Sequence, residues 1–345
     1  MKLRILIFVS LVMFAINAQA KLNGKNVVLV HGLKVDDFKN NPSDDELPGL
    51  AVDYWSEYWG SRAEATLYWP ATERITGRVK DLIRTQIEEL EESRLCQDGC
   101  VFVTHSAGDL VTRHALTSLG QWQIDPSKFK VLVTLDFAGA GGGSQLADIA
   151  VNISEGSGII NAAQRAAIDA FLGIDPSPGS LGTVYDLRPA VARNIGTQNT
   201  AVPRLRFVGS GSAYLGLTKP FVRGNDDSVV GYHSACGARF ASSYESCSRS
   251  VRDNGVLRSS DGPSSFMSNH YPILMGEKAD HFEVITNKRT GNYTTVINDQ
   301  NIGGLQVDFA TETKRKWWAL WRKVRQVKDG DRKSMSANVY DTLSR

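Results

Sequence analysis

The nine residues 101–109, Val-Phe-Val-Thr-His-Ser-Ala-Gly-Asp, constrain this chain more than any other stretch. Three apolar residues, two of them β-branched, read as a short buried strand. Small residues follow at once, and Leu110, Val111, His114 and Ala115 then fall at helical spacing. The pattern predicts a strand that turns sharply into a helix with Ser106 at the tip. Such a turn lifts the serine hydroxyl clear of the sheet and aims the first helical amide, that of Ala107, at whatever the serine attacks. The plainer reading of T-H-S-A-G is an ordinary strand, loop and helix with an exposed serine. The rest of the chain has to decide.

Residues 26–30 read as a second, almost wholly apolar strand that ends in His31-Gly32-Leu33. Beside a serine elbow, that strand end predicts the other half of an oxyanion hole, with the Leu33 amide joining that of Ala107. His31 is expected to be a structural hydrogen-bonder. Further strands are expected at 65–69, 131–135 and 204–209, with an amphipathic helix over 74–93. Strands alternating with helices predict an α/β fold: a mostly parallel sheet covered by helices on both faces. The aromatic run 53–59 either lines an acyl pocket or packs the core. The glycine run 139–143 is expected to be a flexible loop at the mouth of the site. A phosphate-cradling reading would leave Ser106 unexplained. The amphipathic segment 147–172 is either a mobile lid or a packed helical insertion, part of a lid-like insertion placed at about 140–200.

A nucleophilic serine needs a base, and the base needs a carboxylate to hold its tautomer. Asp226 and Asp227 lie in turn chemistry after the 204–209 strand, and turn chemistry alone is their plainer role. His281, at a polar-to-apolar transition late in the sheet region, is the better base candidate. His270 is second, and His233 lies too close to the acid.

Residues 1–20 carry Lys2 and Arg4, an apolar run at 5–16 and Ala18-Gln19-Ala20, the pattern of a cleaved export signal. The mature chain is therefore expected to be exported, either secreted or periplasmic. In that compartment the four cysteines are expected to form disulfides, and of the three possible connectivities the local pairs Cys96 with Cys100 and Cys236 with Cys247 are favoured. The net charge of +2 argues against a dedicated nucleic-acid binder. Residues 311–345 are strongly basic, with Trp317, Leu320, Trp321, Val324 and Val327 at helical spacing. This predicts a helical extension beyond a 21–310 domain. Its apolar face either meets a membrane or lipid surface or docks on the domain.

From Val27 to about Ile285 the chain resembles the bacterial triacylglycerol lipases of family I, in the α/β-hydrolase superfamily. The resemblance is carried by Val28-Leu29-Val30-His31-Gly32-Leu33, Asp53-Tyr54-Trp55, His105-Ser106-Ala107-Gly108 with Arg113, Gly143-Ser144-Gln145-Leu146-Ala147-Asp148, Asp227-Ser228-Val229-Val230 and Asp280-His281-Phe282-Glu283. It implies an α/β-hydrolase fold and a Ser106–His281–Asp227 triad, selecting Asp227 over Asp226, with an oxyanion hole of Leu33 and Ala107. It also implies cleavage of ester or lipid substrates through an acyl-enzyme. Acyl transfer by the same residues, or an inactive lipid-binding relative, are the alternatives. The chain departs from the family at Thr104, where a glycine is usual, and lacks the Pro-His that usually precedes the Gly-Ser segment. Glu283 stands where the family's structural calcium takes an aspartate, so a structural calcium stays open without being predicted, and no organic cofactor is expected.

Overall fold

The computed structural model describes residues 21–198, 200–241, 267–289, 291–316 and 319–345, without the side chains of 316 and 319–324. The predicted export signal, Cys247 and Trp317 lie outside these residues, as does the side chain of Trp321. Strands β1 (Asn26–Val30), β2 (Ala65–Leu67), β3 (Cys100–His105), β4 (Val131–Phe137), β5 (Arg204–Gly209) and β6 (His270–Gly276) form one sheet in the order 2-1-3-4-5-6. All are parallel, and β7 (Tyr293–Thr295) adds an antiparallel edge. Apolar residues dominate the strands because both faces are covered, and polar residues among them, such as Thr104, Asp136, Arg204 and Arg206, are buried as well. Val28, Val30 and Phe102 point into one core, and Val27, Leu29, Val101 and Val103 into the other.

Register places the site. Val30 pairs with Thr104, so Gly32-Leu33 and His105-Ser106 leave neighbouring strands at the same edge of the sheet. This is the carboxyl edge, where open α/β sheets bind their ligands. The Cys96–Cys100 bridge closes at the start of β3.

The expected 74–93 helix is regular only over Lys80–Glu92. It begins in a π-turn, Ile75–Val79, broken by non-helical backbone at Gly77. The 147–172 segment is two helices. Gln145–Ser154 is capped by Ser144, whose Oγ accepts from the Leu146 amide, and Ala162–Leu172 starts in an Asn161/Gln164 capping box. Gly156 and Gly158 divide them, both with positive φ. Both helices bury apolar faces, Ala150 and Val151 on the first, Ile168 and Phe171 on the second.

One expectation fails. Residues 311–316 and 319–327 are not helical. Thr311–Lys316 and Ala319–Val327 pair antiparallel as strands β10 and β11, after the small hairpin of β8 (Gln300–Ile302) and β9 (Leu305–Val307). The three-to-four spacing of apolar residues competed there with threonines, valines and tryptophans that suit a strand, and a strand partner close in sequence decided. Among the described residues of the extension, Met335–Leu343 is the only α-helix, after a single 3-10 turn at Gly330–Arg332. It docks through Met335, Val339 and Leu343, with Ser336 Oγ accepting from Trp59 Nε1 at 2.9 Å. The aromatic run is core: Trp55 and Trp59 are fully buried, and Trp59 packs on Phe137 and Tyr340. No helix among the described residues is long and apolar enough to cross a membrane.

Candidate active site

Ser106 sits between β3 and the helix Gly108–Ser118 with φ +53°, left-handed backbone that a non-glycine residue adopts only under constraint. The constraint is packing. A Cβ on Gly108 would lie 2.4 Å from the Val30 carbonyl oxygen and 2.5 Å from that of His31, so the helix starts hard against the end of β1. The expected strand, sharp turn and helix are all present, with the serine at the turn.

The three distant candidates converge. His281 Nε2 lies 2.9 Å from Ser106 Oγ, and His281 Nδ1 lies 2.8 Å from Asp227 Oδ2. Asp227 is itself held, its Oδ1 accepting from the amides of Val229 and Val230 at 3.0 and 2.7 Å. With the proton on Nδ1 facing the carboxylate, Nε2 is free to accept from the serine hydroxyl. Asp226 turns away and caps its own turn, its Oδ1 accepting from the Ser228 amide at 2.8 Å. Burial pushes the Asp226 carboxyl up to about 6, against the pull of Lys219. His270 opens β6, where burial and then Arg206 and Arg204 push its imidazole well below the usual range, and it makes no contact with Ser106. His233 lies in the short helix Tyr232–Ala235 beside Gln145.

Leu33 and Ala107 follow the ends of β1 and β3, Leu33 lines the same cleft as Ser106, and neither amide donates to another backbone carbonyl among the described residues. His31 sets the first of them. Its Nε2 accepts from the Trp69 amide at 3.2 Å, so Nδ1 carries the proton and donates to the Gly32 carbonyl at 2.7 Å. That carbonyl shares a peptide plane with the Leu33 amide, and holding one directs the other. The His31 ring also stacks on Trp69, and burial pushes its pKa down to about 3, so it stays neutral. Its role is structural.

A cleft of about 420 Å³, open mouth included, leads to Ser106 and His281. Leu33, Ala140, Phe171, Leu187, Val229 and Val230 line it, and none of the 53–59 aromatics does. Sequence reasoning missed Leu187 and Phe171, which look like ordinary core residues until the chain brings them to the serine. The glycine run is not a flexible loop. Its backbone is buried and packs on charged side chains: a Cβ on Gly139 would lie 2.7 Å from both Arg206 Nη2 and Asp109 Oδ2. Glycine is needed there for close approach, and Ala140 and Ser144 still reach the cleft.

Sheet order, elbow and the sequence order serine, aspartate, histidine define an α/β-hydrolase fold. No protein-family model matches the chain, and no curated protein matches its sequence. Among solved structures it is similar to the mature lipase BlEst2 of Bacillus licheniformis, at 15% identity and a TM-score of 0.44 over 76% of this chain and 86% of that one. It is also similar to lipase 1 of Pelosinus fermentans, at 14% identity and a TM-score of 0.42 over 76% and 94%. The Staphylococcus hyicus lipase gives 14% identity and a TM-score of 0.41 over 77% and 90%. Likeness at this level says nothing about activity.

Proposed function

We propose that the protein is an exported serine hydrolase that cleaves carboxylic esters, with lipid acyl esters as its substrate class. The observation that carries the reading is the unbroken chain from Ser106 Oγ through His281 to Asp227, with gaps of 2.9 and 2.8 Å. Ser106 Oγ attacks the ester carbonyl carbon while His281 Nε2 takes its proton. Asp227 stabilises the resulting imidazolium without taking the proton itself. The amides of Leu33 and Ala107 donate to the oxyanion, and His281 then returns the proton to the departing alcohol. Water, activated by the same imidazole, releases the acid and restores the serine. The apolar lining of Phe171, Leu187, Val229 and Val230 suits an acyl chain better than a charged group. No step needs a metal or an organic cofactor. Export is supported by the Cys96–Cys100 disulfide, a bond that persists in oxidising compartments.

The test compares wild type with Ser106→Ala on short- and long-chain p-nitrophenyl esters, with fluorophosphonate labelling in parallel. Turnover that falls about a thousandfold or more, together with lost labelling, supports the reading. A wild type that neither turns over nor labels overturns it.

A further inference from the structure

Beneath His281 runs a second polar chain that the proposed chemistry does not use. His105, fully buried, places Nε2 2.7 Å from the His281 carbonyl oxygen, and the Tyr54 hydroxyl makes a short hydrogen bond to its Nδ1. A carbonyl only accepts, so Nε2 carries the proton. Nδ1 is then bare and accepts from the Tyr54 O–H. The tautomer of His105 is therefore set by its partners. Tyr54 ends the helix Leu47–Tyr54 and reaches this point only because residue 32 is glycine. A Cβ there would stand 2.6 Å from Tyr54 Oη, 2.8 Å from Ser106 Cβ and 3.1 Å from His105 Nδ1.

On the other side, the His281 amide donates to the Asp227 carbonyl at 3.1 Å. Both main-chain polar groups of His281 are thus held, as are both ring nitrogens. A ring carried on a loop after β6 keeps its aim only if that main chain cannot turn. His105 is the sole described partner of the carbonyl, and it acts from the residue adjoining Ser106 itself. One short link therefore ties nucleophile and base.

We infer that Tyr54 and His105 are positioning residues: the His281 carbonyl sets the His105 proton on Nε2, Tyr54 holds that ring by donating to the bare Nδ1, and His105 holds the main chain of His281 so that its ring faces Ser106. The inference rests on the ester-hydrolase reading for its kinetic consequences, whereas the tautomer is a property of the resting protein. The two rings lie 4.7 Å apart between centroids, close enough that a second cation would oppose the imidazolium formed during acylation. Burial, and then His281, push the His105 pKa well below the usual range, which leaves that charge to His281 alone.

Two experiments on the full chain test this. The first is nitrogen NMR of histidine-labelled protein, with the His105 signals assigned by their loss in His105→Gln. The expected result is an Nε2–H tautomer that does not titrate across roughly pH 5–9 in wild type, and that is kept in Tyr54→Phe with the Nδ1 signal shifted by the loss of its donor. A wild-type His105 protonated on Nδ1, or titrating in that window, overturns the inference whatever the activity. The second is a kinetic cycle. Tyr54→Phe and His105→Ala should each lower kcat by about 10- to 100-fold with KM within about twofold. His105→Gln, whose amide can donate to the His281 carbonyl and accept from Tyr54, should recover most of that loss. Tyr54→Phe should cost little more in a His105→Ala background. Independent multiplying losses, or a His105→Gln no better than His105→Ala at an unchanged melting temperature, overturn it. Should His105→Ala fail to fold, Tyr54→Phe against His105→Gln carries the comparison. Undiminished turnover in Ser106→Ala would defeat the ester-hydrolase reading while leaving the NMR result to stand or fall alone.

Discussion

Thr104 donates its hydroxyl proton to Asp136 Oδ1 at 2.6 Å, one strand away and with both side chains fully buried. Asp136 is also bonded by Thr134 Oγ1 at 2.9 Å and by Arg206 Nη1 at 3.1 Å, and Arg206 in turn pairs with Asp109 at 2.7 Å. Thr104 stands where the resembled family has glycine, and the structure gives it a partner. Burial works to raise the Asp136 carboxyl, and Asp109 adds to that, against the pull of Arg204 and Arg206. A donated hydrogen bond to the charged form is therefore needed most at this acceptor. Thr104→Val keeps the shape and removes the donor. It should destabilise the protein by about 1–3 kcal/mol, measured as a lower urea midpoint at constant slope. An unchanged midpoint would mean that the contact contributes nothing.

The backbone at Ser106 should be strained enough to measure. Left-handed geometry costs a non-glycine residue about 1–2 kcal/mol, and glycine's greater freedom when unfolded returns about 0.5–1 of that. Ser106→Gly should thus be at least as stable as wild type, and more stable by up to about 1.5 kcal/mol, while losing turnover. A variant that is less stable would show that the elbow is relaxed.

At Gly108 there is no give, because a Cβ would meet the carbonyl oxygens of Val30 and His31, which are backbone. Gly108→Ala should destabilise by roughly 2–3 kcal/mol and displace the Ala107 amide, lowering kcat more than it raises KM. Gly120→Ala is the control, since nothing lies within 4 Å of a Cβ there. Equal effects at the two sites would refute the packing argument.

Asp226 gives a pH dependence of stability with a definite sign. Its carboxyl is raised to about 6, so between about pH 4 and 6 the native state binds more protons than the unfolded chain. The contribution to stability is full below pH 4 and is lost as pH rises through 6. Asn at this position keeps an oxygen for the Ser228 amide and cannot ionise. Asp226→Asn should match wild type near pH 4 and exceed it near pH 8 by up to about 3 kcal/mol in denaturant titrations. A difference that is flat across this range would rule out the raised carboxyl.

Local chemistry made much of the fold legible in the sequence. The mainly apolar runs at 27–30, 101–103 and 131–135 are strands of a parallel sheet because such strands are buried on both faces. The turn at Ser106 is visible because a strand pattern passes into a helical one across two small residues. Cys96 and Cys100 pair because four residues of chain leave them little else to reach.

Where the outcome hung on contacts between distant residues, sequence pattern was not enough. The 311–327 segment carries helical spacing, yet 311–316 and 319–327 pair as antiparallel strands because strand pairing stabilised them over a pattern too short to exclude either period. The glycine run resembles a loose loop, but its glycines admit Asp109 and Arg206, whose positions depend on another helix and another strand. The sequence determined on its own which residue types stood ready for acyl chemistry at 106, 227 and 281. Only the tertiary structure decided their spacing of 2.9 and 2.8 Å, and that Tyr54 and His105 lie beneath them. A hydrogen bond across 175 residues is specified by the register of a whole sheet, which no local window of sequence contains.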